Sequence, residues 1–289
     1  MTIASHNQLL VLGILSIGLL RACYKEQVID EPEVQVASGD VLEFDQVFAF
    51  TDLKSKLLLY SLPSDTLNSF TPHVGFGSYH DVEIDGIKLK ADEENDLGEV
   101  VVNRPYTVVA RNSEGTHTFQ LYFTNLPLLQ INTEVKIPDE PKVLSWMELA
   151  YANEKDGAGE TRLYTSYAGI EIRGRTSAAH EKKSYGLELW EDSYGNDHEA
   201  PLLGMRYGED WILDAMYVDR LRMRNKLSFE IWEKMWDSKS EMPFRTLKPG
   251  IQCEYIELFI NQRYMGLYCL SERLDEKLIK LSQGQPGSE

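Results

Sequence analysis

Residues 169–190, GIEIRGRTSAAHEKKSYGLELW, decide how this chain folds. Ile170 and Ile172 alternate with Glu171 and Arg173, the two-residue period of a strand with one buried face. Gly174 and the small polar residues that follow break the pattern as far as His180. Tyr185, Leu187 and Leu189 then alternate with Ser184, Gly186 and Glu188. The stretch predicts a strand, a turn and a returning strand. Between the strands lie Arg173, Arg175, Lys182 and Lys183, a cationic set in a chain of net charge -17. Backbone N–H groups at a glycine turn and lysine ammonium groups both favour an anion, so the set is a candidate phosphate site. A hairpin with solvated lysines is the alternative, because no GxxxxGK[ST] pattern is present.

The rest of the composition narrows the choice. The chain has 289 residues, 43% of them hydrophobic and 10% aromatic, which is a globular composition long enough for about two domains. Forty-six Asp and Glu against 29 Lys and Arg argue against nucleic acid as a partner, since that binding rests on many cation–phosphate contacts.

Before the hairpin, Leu9 to Leu20 (LLVLGILSIGLL) is an unbroken apolar run. It is short for a membrane span and suits the core of a secretory signal. Leu20-Arg21-Ala22-Cys23 ends it like a lipoprotein signal, with Cys23 as the lipidation site, although Arg21 departs from the usual small residue. An ordinary signal, an uncleaved anchor and a buried helix are the alternatives. The expected organisation is a signal over 1–23, a polar linker over 24–40, a β-sandwich over 41–127 and a second module over 128–289. This places the protein at the cell envelope or cell surface, held to the membrane by its lipid.

Residues 41–124 carry short runs rich in β-branched and aromatic residues, separated by Asp85-Gly86, Asn95-Asp96 and Asn112-Ser113-Glu114-Gly115. About seven strands at regular spacing predict an all-β, antiparallel, immunoglobulin-like sandwich. The acidic turn at 92–96 reads as solvated, since the alternation of a calcium loop is missing.

After the central hairpin, Asp210 to Ala215 predicts a strand, and Asp219 caps a helix starting near Leu221. Met223, Leu227, Ile231 and Met235, with Trp232 and Trp236 beside them, form an apolar stripe expected in the core. Arg222, Arg224 and Asn225 fall in the first turn, where cations oppose the helix dipole. They call for a phosphate or for a carboxylate such as Asp214, Asp219 or Glu188. Cys253 to Ile260 and Tyr264 to Ser271 predict a hairpin around Asn261-Gln262. With Ile260 facing Arg263 and no irregularity, Cys253 and Cys269 lie on opposite faces and no disulfide is expected. A one-residue shift would reverse this. No Cys/His cluster has zinc spacing, and no Gly-x-Ser-x-Gly elbow supports a hydrolase.

Three segments, IEIRGRTS…KKSYGLEL, LLGM…DWILDAMYVDRLRMRNKLS and YIELFINQRYMGLYCLSERLD, resemble the CotH kinase family of spore-coat-type atypical kinases, in the family's order over about residues 165–280. A β-domain ahead of such a module resembles the layout of Bacteroidota surface lipoproteins. The resemblance implies an α+β module like the small lobe of a protein-kinase-like fold, with ATP and Mg²⁺ as cofactors and surface or secreted protein hydroxyls as acceptors. It implies ATP contacts at Arg173, Lys182, Lys183, Arg224, Asn225 and Glu272, without choosing between the lysines. The family's catalytic and metal-binding aspartate segments have no counterpart here, so no catalytic residue is assigned. The sequence is expected to be truncated and inactive alone. A non-catalytic lipoprotein that binds surface protein or glycan is the alternative.

Overall fold

The computed structural model describes residues 41–63, 66–152, 161–237 and 250–275. The hairpin forms as its alternation demands. β15 (Thr161–Arg173) and β16 (Ser184–Trp190) pair antiparallel, with Ile170 opposite Leu187 and Ile172 opposite Tyr185. Ile170, Leu187 and Leu189 are fully buried.

The hairpin is two staves of a closed barrel. The barrel order is β13 (Leu128–Asn132), β14 (Val143–Ala152), β15, β16, β19 (Asp210–Asp214), β21 (Arg263–Glu272) and β20 (Cys253–Ile260). Closure comes from β13, which runs parallel to β20, with Leu128 opposite Glu257 and Ile131 opposite Ile260. Inward residues such as Met147, Ala168, Leu187, Trp211, Leu213, Ile256, Tyr268 and Leu270 fill the interior. Each large apolar side chain so buried contributes about 1.5–3 kcal/mol.

This overturns the expected fold class. The α+β small-lobe module does not form: the strands wrap into a seven-stranded barrel with one described helix, α1 (Arg224–Asp237), outside it. The deciding pairs, β13 with β14 and β13 with β20, draw on a strand more than a hundred residues upstream of its second partner.

Ahead of the barrel, strands build several sheets. One has the order β2 (Val47–Phe48), β1 (Glu43–Phe44), β6 (His73–Gly75), β9 (Glu93–Glu94). A larger one has the order β3 (Phe50–Asp52), β4 (Leu57–Ser61), β12 (Gly115–Thr124), β11 (Pro105–Asn112), β7 (Asp81–Ile84), β8 (Ile87–Lys88). β5 (Thr66–Leu67) pairs with β10 (Val100–Val101), and between β16 and β19 the short β17 (Ala200–Pro201) pairs with β18 (Tyr207–Gly208). β4 and β12 run parallel, so the wholly antiparallel, immunoglobulin-like sandwich expected from the strand spacing is not what forms. In the acidic turn, Asn95 is buried and bonds to the backbone of Lys90 and Glu93.

The two strand systems share a core. Leu128, Ala150 and Phe259 of the barrel pack among the N-terminal apolar residues, and the Phe50 and Phe259 rings meet edge to face at 5.7 Å. Thr161 donates to the Ser61 carbonyl at 2.7 Å, and the Tyr264 N–H donates to Asp52 at 3.1 Å.

The helix departs from its expected packing. Met223, Leu227, Ile231, Trp232 and Met235 are 43–53% exposed. α1 meets the barrel instead through Lys226, which donates to the Cys253 carbonyl, through Phe229, and through Glu233, which accepts from Gln252. Those three residues lie on a different helix face from the apolar stripe. Among the described residues no helix is long and apolar enough to cross a membrane.

Candidate functional site

A cleft of about 290 Å³ opens where the hairpin turn meets the end of β19 and the start of α1. Three sequence signals set its walls. Gly174 turns the chain at φ +106°, a conformation that glycine adopts without strain, and the 3₁₀ turn Ser177–Ala179 follows it. Asp219 accepts from the N–H groups of Leu221, Met223 and Arg224 at 2.8–3.2 Å. These bonds, led by that from Arg224, hold its pKa below the ordinary carboxylate value. Asp214, at the end of β19, accepts from the Met216 N–H at 2.9 Å and from Asn225 at 3.2 Å, tying strand to helix.

The structure divides the cations of the hairpin. Lys182 lines the cleft. Its Nζ donates to the Leu267 carbonyl at 2.5 Å and lies 4.1 Å from the Tyr268 ring centre. Burial, and then the positive charge of Arg222, pull its pKa down to about 8. Among the described residues no carboxylate forms an ion pair with it. Lys183 turns away and donates to the Ala178 carbonyl at 2.7 Å. Arg173 ends β15 outside the cleft, where burial and Arg273 lower its pKa.

Arg224 and Asn225 also line the cleft. Arg224 pairs with Asp219 at 3.5 Å, so the carboxylate that caps the helix also offsets the cation in its first turn. Glu272 does not reach the cleft. It is 1% exposed and accepts from the N–H groups of Arg206 and Gln252 at 2.9 and 3.0 Å, a bracing role at the end of β21. Cys23 lies outside the described residues.

Sequence reasoning did not assign Ser177, His180, Ser184 or Tyr217 to the cleft, and all four line it. His180 and Tyr217 stack at 5.0 Å with planes 26° apart, forming a flat wall. No local pattern marks such a pair, since its members come from different loops. The sequence offers Asp214 and Asp219 as partners for arginine, and Asp219 as the helix cap, but not as walls of a cleft.

Fold and site together define a β-barrel protein with a cleft lined by Lys182, Arg224, Asp214 and Asp219 at the junction of hairpin, strand and helix. Over residues 170–288 the chain matches the family model described as CotH kinase protein. β13, β14 and most of β15 lie outside the match yet complete the barrel. No curated protein matches the chain.

Proposed function

We propose that the cleft seats the phosphate tail of ATP, and that the chain is the nucleotide-holding part of a CotH-type protein kinase acting on protein hydroxyls. The observation that carries this is Lys182, a half-buried cation at the cleft that, among the described residues, has no carboxylate in salt-bridge contact, although Glu257 and Asp214 act on it from further off. Such a charge gains most from an incoming anion. Arg224, its charge partly offset by Asp219, also lines the cleft, and Asn225 adds an amide donor. The N–H groups at the start of α1 are held by Asp219, so side-chain charge supplies the attraction. The His180–Tyr217 wall offers a flat surface beside it.

A magnesium ion would neutralise the charge that develops during transfer. Among the described residues no three His, Cys, Asp or Glu side chains converge on a point. Asp214 and Asp219 are already committed to neighbouring donors. The described residues therefore suit phosphate binding rather than a metal site, and we assign them no transfer step.

We further propose that the protein is secreted and lipid-anchored through Cys23 at the cell envelope, which the apolar run at 9–20 supports. A binding role without catalysis is favoured by one feature, the Trp146 and Tyr167 rings 5.0 Å apart on the outer barrel wall, both partly exposed. Calorimetric titration with ATP separates the two readings. The kinase reading expects saturable binding that inorganic triphosphate competes away. Absence of binding at millimolar ATP would overturn it.

A further inference from the structure

The hairpin β20–β21 carries a second chemistry. Its turn forms at Asn261-Gln262 with Ile260 opposite Arg263, but the register then slips. Phe259 faces Tyr264 while Leu258 faces Gly266, leaving Met265 as an extra residue. Gly266 sits at φ +85°, a conformation glycine supplies readily at a bulge. Beyond the slip Cys253 faces Ser271 and Cys269 faces Tyr255. The expected opposite-face placement is therefore reversed, and the cysteines are diagonal neighbours on one face.

Both thiols are buried, in a small cluster with Met216 and against Phe229 of α1. Diagonal neighbours stand further apart than directly opposed ones, yet within reach of side chains that lean toward each other. Interaction with Cys269 lowers the Cys253 pKa against the opposing effect of burial, and the Lys226 charge, with Nζ 2.6 Å from the Cys253 carbonyl oxygen, lowers it further. The same interaction, together with burial, raises the pKa of Cys269. Met216 belongs both to this cluster and to the cleft wall, and Cys269 faces Asp214 across the β19–β21 pair.

We propose that Cys253 and Cys269 form an oxidisable dithiol that closes to a disulfide beneath α1 with hydrogen peroxide as oxidant. The Cys253 thiolate attacks one peroxide oxygen, the O–O bond breaks, and hydroxide leaves. Cys253 is then a sulfenic acid. Cys269 gives up its proton, and its sulfur attacks the Cys253 sulfur. The S–O bond breaks and water leaves. In sum, two thiols and one peroxide yield one disulfide and two waters. Peroxide is close to water in size, so local opening at α1 admits it.

The test uses the full chain carrying Cys23→Ser. The folded protein is treated with peroxide, quenched, alkylated in denaturant and digested with trypsin, whose cut after Arg263 separates the two cysteines. The proposal expects a linked peptide pair from monomeric protein and a rise in Tm of roughly 5 °C, reversed by dithiothreitol. In Cys269→Ser, or in Cys269→Ala if the serine variant does not fold, Cys253 should instead be trapped by dimedone. The proposal fails if both thiols remain alkylatable, if the link joins two chains, or if Cys253 oxidises to sulfinic acid while Cys269 stays a thiol. The wild-type peptide map decides even where neither variant folds.

Discussion

Lys142 on the outer barrel wall and Lys182 at the cleft are both half-buried ammonium groups, held in opposite ways. Lys142 reaches Glu188 and Asp210 together, the latter at 3.1 Å. Burial alone would lower its pKa, but these two partners more than offset that and hold it above the ordinary lysine value. Lys226 meets Glu254 at 3.0 Å, and Arg111 meets Asp81 and Glu83 at 2.8 Å. Lys182 instead faces a neutral carbonyl and an aromatic ring, and its pKa falls. In a chain with 17 more acidic than basic side chains, carboxylates are plentiful. Lys182 has Glu257 and Asp214 acting on it only from beyond salt-bridge contact, and a half-buried cation so placed marks an electrostatic cost that a ligand can offset.

The sharpest way to break this contrast is to truncate each lysine in turn. Lys142→Ala leaves Glu188 and Asp210 facing each other across β16 and β19. The expected loss is about 2–3 kcal/mol, at or below the range for a broken buried pair because these groups keep some solvent. Urea denaturation measures it, and ATP affinity should stay unchanged. An unaltered midpoint would show that the paired lysine carries no structural load.

A smaller effect follows from pH. The folded pKa of Lys182, about 8, lies below the ordinary value of 10.5. Below pH 8 the group is charged in both folded and unfolded chains, and its desolvation cost is fully present. Between about pH 8 and 10.5 the folded chain releases its proton first, so this group's contribution makes stability rise with pH. ATP attraction runs the other way. Affinity should fall about three- to tenfold from pH 7 to pH 9, approaching the free group's full titration the more strongly bound phosphate holds the ammonium charged. In Lys182→Met both trends should flatten. A wild-type profile flat over the same range would contradict the assignment.

What the sequence revealed depended on distance along the chain. The strand–turn–strand at 169–190, the Asp219 cap and the Asn261-Gln262 turn were legible because a few adjacent residues dictate each one. Barrel closure was not, because β13 finds β20 only after some 120 intervening residues have folded, and each strand alone suits an open sheet equally well. The stripe on α1 gave the helix but not its orientation, which Lys226, Phe229 and Glu233 fix through contacts with β20 and its flank. One extra residue, Met265, reversed the cysteine geometry. At the cleft, the glycine turn and the cationic set could be read directly. Choosing between Lys182 and Lys183 required knowing that Leu267 and Tyr268 stand beside the first.

That choice is the most direct test of the account. Calorimetric titration of ATP into Lys182→Ala and Lys183→Ala, side by side at pH 7, should show about tenfold or greater weakening in the first and near wild-type affinity in the second. Equal affinities in the two variants, or a loss confined to Lys183→Ala, would contradict it.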